Sequence, residues 1–135
     1  MIELFRTILE VAKSLIGISD KLREADHQQR HDMAALFDNI SSCLGVVSSE
    51  IRMGKIPHGK CGELETYAQE LPGKIRDQIG DTKAKELGAL LHSAHKVEGA
   101  AMDISDVADK EPYLKEIEEA SGKFLALANL MRASQ

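Results

Sequence analysis

Residues 33–51 read MAALFDNISSCLGVVSSEI. Met33, Phe37, Ile40, Leu44, Val47 and Ile51 step by 4, 3, 4, 3, 4. That spacing places all six on one side of an α-helix and fits no strand, where the period is two. Leu36 and Cys43 widen the stripe, so Cys43 reads as a buried core thiol. The helix is expected to end near Met53, before Gly54.

The same steps recur on either side. Leu4, Ile8, Val11, Leu15, Ile18 and Leu22 predict a first helix from about Ile2 to Arg23, widened by Phe5, Leu9, Ala12 and Ile16. Between the two helices, the polar run Glu24–Asp32 reads as a hairpin turn, with Asp26 or Asp32 available as a cap. Residues 54–62 read as a loop, because Gly54, Pro57, Gly59 and Gly62 crowd it, and Cys61 falls inside that loop. Leu64, Tyr67, Leu71, Ile75 and Ile79 make a third helix. Pro72-Gly73 sits within it, so a kink or a short extra segment is expected there. Asp81 is a plausible cap for a fourth helix reaching about Asp109, with Leu87, Leu90, Ala94, Val97, Ala101 and Ile104 as its core. Gly88, Leu91, His95 and Met102 form a second uncharged stripe on it. Pro112 suits the first turn of a last helix carrying Tyr113, Ile117, Ala120, Phe124, Leu127 and Met131. The expectation is all-α: an up-and-down bundle of four long antiparallel helices, plus the segment near Pro72.

Composition agrees with this reading. The chain has 135 residues, enough for one domain (1–135) and no second core. It is 43% hydrophobic, 29% charged and only 4% aromatic, a soluble globular balance poor in strand formers. All of the net charge of −5 lies in residues 61–135, and no Lys/Arg cluster occurs. Nucleic acid is therefore a poor partner. No uncharged run approaches a membrane span, and the N-terminus lacks the pattern of a signal peptide. The expected location is cytoplasmic, as a monomer or homodimer.

Candidate chemistry is sparse. The sequence assigns no cofactor and no metal. His27 and His31 are four apart and could share a helical face, but a zinc site needs a third ligand, so they read as part of the solvated turn. Asp103, Asp106 and Asp109, followed by Glu111, Glu116, Glu118 and Glu119, lack the Gly turn of a calcium loop. They read as a solvated acidic helix end, with a docking patch for a basic partner as the alternative.

Ala94-His95-Lys96-Val97-Glu98-Gly99-Ala100-Ala101 resembles the phosphoacceptor motif of histidine phosphotransfer domains, which are helical bundles of about this size. The resemblance implies His95 as phosphoacceptor, with Gly99 one turn on giving clearance for a receiver domain. Glu98 stands where that family has Lys, and its later glycine is not matched at Ser105. By layout alone, the chain is also similar to the small helical bundles of cell-death effectors and fungal HeLo domains. The primary expectation is a non-enzymatic interaction or scaffold module with a protein partner. Phosphotransfer through His95 is the only candidate activity.

Overall fold

The computed structural model describes residues 4–92 and 97–133. Every regular element among them is a helix: α1 (Leu4–Gly17), α2 (Ser19–Leu22), α3 (His27–Arg52), α4 (His58–Ile79), α5 (Asp81–His92), α6 (Val97–Ser105) and α7 (Glu111–Ala133). The all-α expectation holds. The expected division into four long helices does not describe what is seen, which is seven helices of 4 to 26 residues. The breaks have local causes.

The first expected helix divides at Gly17-Ile18. The Ile18 N–H is shared between the carbonyls of Ser14 and Leu15, at 3.2 and 3.3 Å, which tightens the turn there. The 24–32 turn is shorter than expected, because Asp26 starts α3 at His27. Its Oδ1 accepts from Gln29 N at 2.8 Å, and Gln29 Oε1 accepts from Asp26 N at 3.2 Å. This reciprocal capping box satisfies two helix-end donors, so the polar residues 27–32 join the helix.

At the other end of α3, Gly54 has φ +77°. Gly54 N donates to Ile51 O and Lys55 N to Glu50 O, at 3.0 and 2.9 Å. That pair of bonds is a Schellman stop, and it requires a residue at ease in the left-handed region. The loop that follows is short. Helix α4 begins at His58, so Gly59, Cys61 and Gly62 lie in its first turns rather than in a loop.

No extra segment occurs at Pro72; α4 runs through it. Leu64, Ala68, Leu71 and Ile75 are all buried, so the apolar stripe holds the helix on both sides of the missing N–H. Gly80, at φ +89°, is the sole residue between α4 and α5.

Helix α3 packs along α7 and on its other side against α4, while α1 lies on α7 and α5, and α5 folds back on α4. The ties fix the senses. Ser48 meets Glu118 and Arg132 meets Asp38, so α3 and α7 are antiparallel. Cys43 meets Lys60 and Gln29 meets Asp77, so α3 and α4 are too. One continuous core results, with Phe37 and Phe124 at 6.1 Å between ring centres. The core thiol read at Cys43 is buried, and its Sγ lies 3.1 Å from the Lys60 carbonyl.

Candidate functional site

His95, the candidate phosphoacceptor, lies outside the described residues. Gly99 is on α6 and half-buried. The helices on either side do not share a face. Helix α5 buries Ala84, Leu87 and Gly88, whereas α6 buries Ala100, Ala101 and Ile104. At 100° per residue those two sets point roughly 150° apart, so α5 and α6 bury different sides. The two apolar stripes of this segment are used in succession. As a consequence Leu90, expected in the core, is 47% exposed, and Met102 is 51% exposed.

Gly88 has a specific role. A Cβ there would sit 2.4 Å from Pro72 Cγ and 3.0 Å from Cδ. The missing side chain lets α5 close over the proline ring of α4.

The acidic run is largely engaged in holding the fold. Arg52, the last residue of α3, binds two carboxylates of α7. Its Nη1 donates to Glu111 Oε1 at 2.5 Å, and its Nε and Nη2 donate to Glu118 at 3.1–3.2 Å. Buried Ser48 donates to Glu118 Oε2 at 2.9 Å. Arg6 binds Glu116 at 3.1 Å, and Asp109 Oδ1 accepts from Glu111 N at 3.2 Å, closing the start of α7. Hydrogen bonds from Arg52 hold the Glu111 carboxyl below the ordinary carboxylate range, and the same contacts raise the Arg52 guanidinium. A lowered carboxyl favours the fold above the unfolded-state value, and that contribution is lost as pH falls through the folded one. Acid titration should therefore loosen the α3–α7 junction. Arg52→Gln should flatten this part of the pH–melting curve, as read by thermal circular dichroism; an unchanged acid limb would show that the clamp adds nothing.

At the middle of the same seam, Ser41 and Ser121 each donate to the other's backbone carbonyl at 2.8 Å, with the hydroxyls 3.2 Å apart. At its far end Arg132 pairs with Asp38. The ion pairs across the seam thus lie at its two ends, and the half-exposed Lys123 is the one charged side chain of α7 between residues 122 and 129. Between those ends, every exposed residue of α3 from 39 to 49 is uncharged: Asn39, Ser42, Gly45, Val46 and Ser49. So is every exposed residue of α7 from 122 to 129: Gly122, Leu125, Ala126 and Asn129. Val46 and Leu125 are 36% and 45% exposed. In a chain that is 29% charged, an uncharged outer face across two helices is a marked departure. Sequence reading passed over it. Its signal was present, because Val46 and Leu125 are large apolar residues lying off the 4-3-4-3-4 stripes of their helices.

His27 and His31 are both exposed in the first two turns of α3. Among the described residues no group of three or more His, Cys, Asp or Glu side chains is placed to hold a metal ion, the Asp103–Asp109 run included. Nor is any described helix long and apolar enough to cross a membrane. Compared with protein-family models, curated proteins and solved structures, the chain matches none of them.

Proposed function

We propose that this chain is a non-enzymatic interaction module that binds a protein partner through the outer face of α3 and α7. The uncharged stretch between the two ion-pair clamps carries this reading. Small residues there, Ser42, Gly45, Ser49, Gly122 and Ala126, let another helix come close, and Val46 and Leu125 supply apolar anchors. A partner helix with an apolar, uncharged face fits it, since a charge buried there would lose its water without gaining a counter-ion. The scaffold, on this reading, is an up-and-down bundle framed by α1, α3, α4 and α7. The antiparallel ties of α3 to α4 and α7 support that arrangement. A cytoplasmic setting belongs to the same proposal.

The test is capture of a partner from native extract by the wild type and by Val46→Glu/Leu125→Glu. Both positions are exposed, so the variant should keep its melting temperature within a few degrees. It should lose at least tenfold in captured partner, because two carboxylates would be desolvated on binding. Equal capture by a folded variant would move the binding face elsewhere.

The eight-residue motif around His95 supports a second reading, an HPt-like phosphorelay protein. It requires that a phosphorylated receiver domain label the wild type with an acid-labile, base-stable phosphate. The label should vanish in His95→Gln and persist in His92→Gln. Glu98→Lys should raise the transfer rate by replacing a repelling carboxylate with a cation. An unlabelled wild type removes this reading.

A further inference from the structure

We propose that His27 and His31 form a two-imidazole chelating site for a divalent late first-row metal ion on the outside of α3. The capping box at Asp26 is what creates it. It starts the helix at His27, so that His31 lies one full turn further on the same side. Side chains four apart on a helix have their Cβ atoms about 5–6 Å apart and lean the same way. Two imidazoles can then converge on one ion at ordinary metal–nitrogen distances of about 2.0–2.1 Å.

The surroundings permit this. Both histidines are exposed. Arg30, the cation between them in sequence, is partly buried and donates to the Ala25 carbonyl at 2.6 Å. Asp26 and Asp32 flank the pair in sequence, and the Asp26 carboxylate at the cap counters the positive end of the helix dipole. With no third described ligand nearby, water completes the coordination sphere. Imidazole pairs of this kind suit copper, nickel and zinc ions and not calcium or magnesium, which take oxygen ligands.

Ni²⁺ is the probe, because it does not oxidise the cysteines. Added to the full chain at pH 7.5, it should raise the melting temperature saturably, by about 2–5 °C. Equilibrium dialysis should show one ion bound. Both effects should disappear in His27→Ala and in His31→Ala. Gln28→His combined with His31→Gln keeps two histidines but sets them one residue apart, so it should not bind. Ca²⁺ should have no effect. The proposal is overturned if Ni²⁺ neither shifts the wild type nor binds it, if either single alanine variant behaves as the wild type, or if the displaced pair binds as well.

Discussion

Leu15→Asp is expected to unfold the protein. Leu15 is fully buried near the end of α1, within the one core shared by all the long helices. Aspartate there removes the apolar packing and places a carboxylate within the buried apolar core. The combined cost is roughly 3–5 kcal/mol. Domains of this size are stable by only about 5–15 kcal/mol, so the substitution takes a large share of the total. Thermal circular dichroism should show a melting temperature lowered by well over 10 °C, or no cooperative transition. A soluble variant that melts like the wild type would mean that the Leu4–Leu22 stripe does not face the core.

Gly88→Ala is expected to change sign with its neighbour. In an ordinary helix this exchange stabilises by about 1 kcal/mol. Here the new Cβ would meet the ring of Pro72 at 2.4 Å, and a proline ring has no rotamer to escape into. Helices α4 and α5 would have to move apart, at about 1–3 kcal/mol, so the single variant should be net destabilised. In a Pro72→Ala background the obstacle is gone, and Gly88→Ala should become neutral or stabilising. A coupling of about 1–3 kcal/mol in the double-mutant cycle is the expected result. Additive effects would mean that α5 does not close over the proline as described.

These two positions also show what could be read from the sequence. Leu15 sits on an unbroken 4-3-4-3-4 stripe, and such stripes located α1, α3 and α7 and their buried faces directly. Pro72 and Gly88 are sixteen residues apart in sequence, and neither has a local meaning that predicts the other. Their contact exists only once α5 folds back at Gly80. The segment from 81 onward was misread for a related reason. It carries two apolar stripes, and periodicity alone joined Leu87, Leu90, Ala101 and Ile104 into one continuous face. The structure buries a different side before and after residues 93–96, which leaves Leu90 and Met102 exposed.

Helix starts were read too late where polar residues are good helix formers held by a cap, as at Asp26-His27. The functional surface was hidden differently. Val46 and Leu125 stand out only when the exposed residues of two helices, distant in sequence, are laid side by side and found to carry no charge. The acidic residues of α7 looked like a feature in themselves until Arg52, Arg6 and Ser48 were brought to them by folding.

Photo-crosslinking tests the assignment of function to that surface without relying on loss of binding. Benzoyl-phenylalanine is placed singly at position 46 or 125, on the uncharged face, and at 65, half-exposed on α4, or 86, exposed on α5. Irradiation in native extract should give one and the same adduct from 46 and 125, and none from 65 or 86. Adducts from 65 or 86 alone, or the absence of any adduct at 46 and 125 in folded protein, would contradict an interaction module that binds through α3 and α7.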